Sequence, residues 1–159
     1  MQGDRTIVYK LLGGSCSKII TDITISVNSP EEMARDARNA VDRSYDALKT
    51  IQMGAADMVN IKLMKRGGLY NALKIASAAE VYGVECMIGC MLEAKISVNA
   101  AVHPACAKQI ITKIDLDGPV LCSEAPILGG AVFNEREITV SNDPGLGIHG
   151  IQGIRYLAD

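Results

Sequence analysis

Asp57-Met58-Val59-Asn60-Ile61-Lys62-Leu63-Met64-Lys65, with Gly67-Gly68 just beyond it, is the stretch on which the fold turns. Val59, Ile61 and Leu63 fall on one face of an extended chain, and Asn60, Lys62 and Met64 on the other, which predicts a strand. The glycine pair opens a helix carrying Leu69, Leu73, Ala76 and Ala79, and Gly83 closes it. Residues 84–91 are nearly all apolar, as in a strand covered on both faces. A small-residue helix over 95–108 follows, with Pro104 marking a kink or early stop, and then a strand over 110–117.

Working back from the same stretch, residues 22–28 (Asp-Ile-Thr-Ile-Ser-Val-Asn) alternate as a first strand. Ser29-Pro30-Glu31-Glu32 then supplies an N-cap, a proline at the first helical position and a capping-box glutamate, so a helix starts there and runs toward Gly54. Strands that alternate with helices over short connections indicate an α/β fold with a parallel sheet and right-handed crossovers. Beyond it, Gly129-Gly130 and Asn134-Glu135 punctuate two short alternating runs that read as a hairpin. The expected organisation is an entering linker (1–21), a βα domain (22–119) and a C-terminal hairpin and tail (120–159).

A chain of 159 residues, 48% apolar and 21% charged, has the composition of one globular domain. Its net charge of -2 offers no basic field, which argues against nucleic acid as a partner. No stretch reaches membrane-spanning length and the N-terminus has no long apolar run, so a protein neither secreted nor anchored is expected. Cys16, Cys86, Cys90, Cys106 and Cys122 form no CxxC pair and are odd in number. Reduced thiols in a cytoplasm fit best, and small buried hydrophobes explain them without assigning function.

Lys62 is the most informative single residue. Strand alternation sets its ammonium on the face away from the helices, where it is either used as a base or snorkels to water from a strand end. Asp115 and Asp117, two apart, send both carboxylates the same way while Leu116 points oppositely. At the carboxyl end of a parallel strand such a pair suits an ammonium; a solvated Asp-Gly turn is the alternative. Glu93, just after the third expected strand, is a weaker ligand-face candidate that helix capping explains equally well. Gly145-Leu146-Gly147-Ile148-His149-Gly150 fits a dinucleotide-binding spacing, but no helix follows to receive phosphate, and that reading is rejected. His103 and His149 have no partner placed by spacing and read as structural or solvated.

Taken in order, residues 56–65 with Gly67-Gly68, Glu85-Cys86-Met87-Ile88-Gly89-Cys90-Met91-Leu92-Glu93, Asp115-Leu116-Asp117-Gly118-Pro119 and Pro144-Gly145-Leu146-Gly147-Ile148 resemble the dipeptide epimerases of the enolase superfamily, in its muconate-lactonizing-enzyme-like branch. The resemblance implies a TIM-type barrel and a two-base proton transfer next to a carboxylate, with Mg2+ stabilising the enediolate. It assigns Lys62 to the catalytic lysine on the sixth strand, and Asp115 and Asp117 to the pair that holds the dipeptide ammonium. Glu93 joins them as a substrate-binding candidate.

The departures from that pattern are specific. Ile51 stands where the second catalytic lysine belongs, and the strands that would supply the acidic metal ligands are missing, so no metal-ligand set is identified. What remains matches the first, sixth, seventh and eighth strands of the parent, a (βα)4 half barrel made by internal truncation. Two raw edges invite closure by homodimerisation, the last strand of each chain meeting the first of the other. In such a ring two Lys62 side chains would face each other, with Asp115, Asp117 and Glu93 as substitute metal ligands. For the isolated chain the expectation is an impaired or inactive isomerase; the alternative is a dipeptide-binding or purely structural half barrel.

Overall fold

The computed structural model describes residues 6–21, 51 and 56–153. The expected first strand (22–28) and the helix beginning at Ser29 lie outside the described residues, apart from Ile51.

Three strands form a parallel sheet: β2 (Met58–Lys62), β3 (Glu85–Gly89) and β4 (Ile111–Asp115), in that order. Val59 and Ile61 are buried while Asn60 is exposed, so the alternation in sequence is the alternation in burial. β2 ends at Lys62, earlier than the pattern predicts. Leu63 to Met64 do not continue the strand but enter one helical turn, α2 (Leu63–Arg66), which Gly67 ends in the left-handed region at φ 75°. Leu63 stays buried there as it would in a strand, which is why periodicity alone misplaced it.

Helix α3 (Leu69–Tyr82) buries Ala72, Ile75, Ala76 and Ala79. Gly83, at φ 67°, lets the Val84 N–H reach back to the Ala79 carbonyl and the Gly83 N–H to that of Glu80, closing the helix as expected. Helix α4 (Lys95–Ala107) does not stop at Pro104. The proline costs a backbone hydrogen bond, about 3 kcal/mol, but Val98, Ala101, Val102 and Ala105 around it are buried, and that packing carries the helix three residues further.

α4 is also where remote parts of the chain are tied together. Asn99, fully buried, accepts the Ala131 N–H (2.7 Å) and donates to the Leu146 carbonyl (2.7 Å). His103, also fully buried, accepts the Tyr9 N–H on Nδ1 (3.2 Å) and stacks on the Tyr9 ring. Gly14 passes so close to the end of α4 that an added Cβ would meet the Ala107 Cα at 2.7 Å.

The N-terminal segment and the tail are built together. After α1 (Val8–Leu11), β1 (Lys18–Ile20) pairs antiparallel with β7 (Glu137–Thr139), which pairs in turn with β6 (Val132–Asn134) across a turn at Glu135-Arg136. A short helix, α5 (Gly118–Leu121), leads into the tail, where β5 (Ile127–Gly129) pairs antiparallel with β8 (Ile148–Ile151). Gly129 is required there, since a Cβ would lie 2.3 Å from the Gly147 carbonyl oxygen. No described helix is long and apolar enough to cross a membrane.

Candidate active site at the strand ends

The parallel register aligns Lys62 with Gly89 and Gly89 with Asp115, so the three stand in one row at the carboxyl ends of β2, β3 and β4. In a parallel sheet aligned residues share a face. Gly89 therefore leaves a gap between a lysine and a carboxylate. The gap is in use: a Cβ on Gly89 would come 3.0 Å from the Asn60 side-chain oxygen and 3.3 Å from Lys62 Nζ. The half-buried Lys62 ammonium crosses this space and donates to the Cys90 carbonyl at 2.7 Å.

Asp115 is half-buried on the strand, and Leu116 points the other way, fully buried. Asp117 lies past the strand end with helical backbone angles, at only 9% exposure. Because the backbone turns helical there, strand alternation, on which the expected common direction of the two carboxylates rests, does not orient Asp117. The backbone around the pair is held twice. The Cys90 N–H donates to the Asp115 carbonyl (2.9 Å), and the buried Thr21 hydroxyl donates to the Ile114 carbonyl (3.2 Å) while accepting the Leu116 N–H (2.9 Å). The flank of β4 that was expected to receive a partner's first strand is thus met, at Ile114 and Leu116, by the chain's own Thr21.

Cys90, which the sequence reading takes as a small buried hydrophobe, is buried as expected. It sits where the others converge: its carbonyl takes the Lys62 ammonium, and its thiol lies 4.0 Å from Asp117 Oδ1. Burial pushes the thiol up; a backbone hydrogen bond at Gly118 acts the other way, and the negative charges of Asp117, Asp115 and Glu93 add to the rise. Such a thiol is a poor nucleophile. It serves as an apolar floor beneath the charged groups. Its place directly after an apolar strand was the available signal.

Glu93 accepts the Met91 N–H at 2.8 Å and the Ser97 hydroxyl, so its carboxylate braces the loop between β3 and α4. Its partners are a loop N–H and a hydroxyl rather than the N–H groups of the helix, so helix capping, one of its two sequence readings, does not describe it. Among the described residues no three His, Cys, Asp or Glu side chains are gathered to hold a metal ion. Ile51 is 2% exposed in the apolar core. His103 is structural, and exposed His149 pairs with Asp143 (3.1 Å), a partner that spacing did not reveal. The tail glycines serve backbone packing: Gly145 exchanges backbone hydrogen bonds with Thr6 and Val8, and the Gly147 carbonyl receives the Gly130 N–H.

Lysine and acid at the carboxyl ends of parallel strands, on one face, is the ligand-side geometry of barrel enzymes, and relatives agree. The chain is 38% identical to the L-Ala-D/L-Glu epimerase of Clostridium acetobutylicum over an alignment of 238 positions, covering 91% of this chain and 66% of the relative. It is 43% identical to the L-Ala-D/L-Glu epimerase of Bacillus subtilis over 104 residues, 65% of this chain and 28% of that protein. The chain thus spans about two thirds of one curated relative and under a third of the other. Among solved structures, a substrate-liganded complex of the Bacillus subtilis enzyme superposes with a TM-score of 0.78 at 27% identity, over 92% of this chain and 67% of that one. The Enterococcus faecalis dipeptide epimerase complexed with Mg and L-Leu-L-Tyr gives 0.76 at 26% identity, over 91% and 67%. The family model described as enolase C-terminal domain-like matches residues 33–150, most of the sequence. By that match, and by its kinship to dipeptide epimerases, the chain belongs to the enolase C-terminal domain-like family.

Proposed function

We propose that the chain carries the dipeptide-recognition half of an epimerase-type site with a single base, and that the isolated chain binds dipeptides without completing their epimerisation. The row Lys62–Gly89–Asp115, with buried Asp117 beyond it, carries this reading. Asp115 and Asp117 would receive the dipeptide ammonium, a charge-assisted hydrogen bond strengthened by the burial of Asp117. Lys62 Nζ, in its neutral form, has the lone pair to take a proton from the carbon next to a carboxylate. Glu93 contributes by fixing the loop that overhangs the site.

Inverting that carbon needs a second proton donor on the opposite face. Ile51, at the position of the family's other lysine, is apolar and buried. The enediolate also needs positive charge to stabilise it. Magnesium is the family's means, but the described acidic groups do not form a set that fits it: Glu93 is engaged in its loop and no three donors converge. No step is therefore assigned to the metal. Internal truncation is supported by the Clostridium alignment, whose 238 positions exceed the 159 residues of this chain. The five free cysteines support a cytoplasmic setting.

Closure of a half barrel by a second copy is a second reading, favoured by one observation. Met64, Met91, Leu92, Val120 and Leu121, which follow the three parallel strands, are all exposed, Leu92 at 87%. Large apolar side chains gathered on one rim are a usual mark of an interface. Sedimentation at micromolar concentration should give a dimer; a monomer there refutes closure.

The dipeptide reading is tested by thermal stabilisation. L-Ala-L-Glu should raise the melting temperature of the wild-type chain, equivalent to about 2.7 kcal/mol at a hundredfold excess over Kd. Asp117→Asn should abolish the rise. Stabilisation that persists in that variant contradicts the assigned ammonium site.

A further inference from the structure

A cavity of about 520 Å3 opens beside the strand-end site, with Ala94, Lys95, Pro119, Cys122, Glu124, Val132 and Phe133 among its walls. Ala94 follows Glu93 directly, and Pro119 stands two residues past Asp117, so chain connectivity sets two walls of the cavity next to residues of the proposed site. The lysine in its wall is already committed. Lys95 Nζ donates to the Gly129 carbonyl at 3.0 Å and rests 6.0 Å from the centre of the Phe133 ring. Pro119, Val132 and Phe133 leave the remaining wall apolar. That volume and lining suit an organic side chain.

We propose that this cavity is a specificity pocket for the N-terminal residue of the bound dipeptide, and that it selects a large apolar or aromatic side chain there. The inference rests on the dipeptide reading above. It follows from connectivity within the ligand: the side chain on the ammonium-bearing carbon is the part nearest Asp117, and what the cavity offers it is largely apolar surface, with its one cation already hydrogen-bonded to a carbonyl and set beside a ring. Glu124, at the exposed margin, is the charged group left to meet a ligand, and it disfavours an acidic side chain at this position.

Calorimetric titration of the full chain with L-Phe-L-Glu and L-Ala-L-Glu tests it. L-Phe-L-Glu should bind about 10-fold more tightly, the effect expected of burying a ring in place of a methyl group. Ala94→Trp, a substitution at an exposed position that fills the cavity from one wall, should erase the preference while leaving the Kd for L-Ala-L-Glu within about 2-fold. Val132→Trp, at an exposed position on the other side, should do the same. Equal affinity of the wild-type chain for the two dipeptides, or an equal loss for both in the tryptophan variants, overturns the pocket and leaves the ammonium site standing. Failure of both dipeptides to bind overturns the ammonium site and the pocket with it.

Discussion

The strand ends and helix α4 both bury polar groups, but they treat them differently. On α4, Asn99 spends its oxygen and its amide nitrogen on two backbone groups from distant parts of the chain, and His103 spends Nδ1 on a third. At the strand ends, among the described residues, Lys62 is half-buried and leans on the Cys90 carbonyl, and Asp117 has the Cys90 thiol at 4.0 Å beside it. The first region holds the fold; the second holds charge ready for something else. Substitutions on α4 should therefore unfold the protein, and those at the strand ends should leave it folded and silence it.

Asn99→Ala makes the sharpest contrast. It strands the Ala131 N–H and the Leu146 carbonyl together, and should cost about 4 kcal/mol, seen as a shift in the denaturation midpoint. Acid should act on the same helix. Burial lowers His103 from 6.5 to about 4, and its Nδ1 is occupied as an acceptor, so the folded chain resists protonation. The unfolded chain binds that proton first, which means that the His103 contribution is complete above pH 6.5 and is lost as pH falls through the window from 6.5 to 4. The loss should reach about 3 kcal/mol, and His103→Gln should flatten that part of the stability profile.

Gly14→Ala attacks the contact between the N-terminal segment and the end of α4. The Ala107 Cα, 2.7 Å from the new methyl group, is backbone and cannot rotate away, so a loss of about 1–3 kcal/mol should appear in urea unfolding. Lys62→Ala should have the smallest effect on stability, about 0.5 kcal/mol, because its one hydrogen bond is partly solvated. A large loss of stability in that variant would make Lys62 a structural residue and erase the distinction between the two regions.

The division between the regions also explains what was legible in the sequence. Local periodicity revealed β2, β3, β4 and α3, because each is amphipathic or apolar over its own length and glycine marks the helix ends. It misplaced Leu63 and Met64, since a buried leucine just after a strand satisfies either period, and it gave Pro104 too much weight against the burial around it. The pairing of β1 with β7 and the grip of Asn99 on the tail link residues far apart in the chain, and single residues carry no trace of such contacts. Lys62, Asp115 and Asp117 stand out because charge on a strand next to apolar neighbours is conspicuous. Gly89, which makes the site by what it leaves open, does not, and Cys90 reads as a buried hydrophobe with no place in the site.

Proton NMR of L-Ala-L-Glu in D2O with the isolated chain tests the account most directly. The expected result is saturation transfer from protein to dipeptide, showing binding, with the stereochemistry of the glutamyl Cα unchanged over the time course. Conversion to L-Ala-D-Glu faster than in a protein-free control, or no saturation transfer at all, would contradict it.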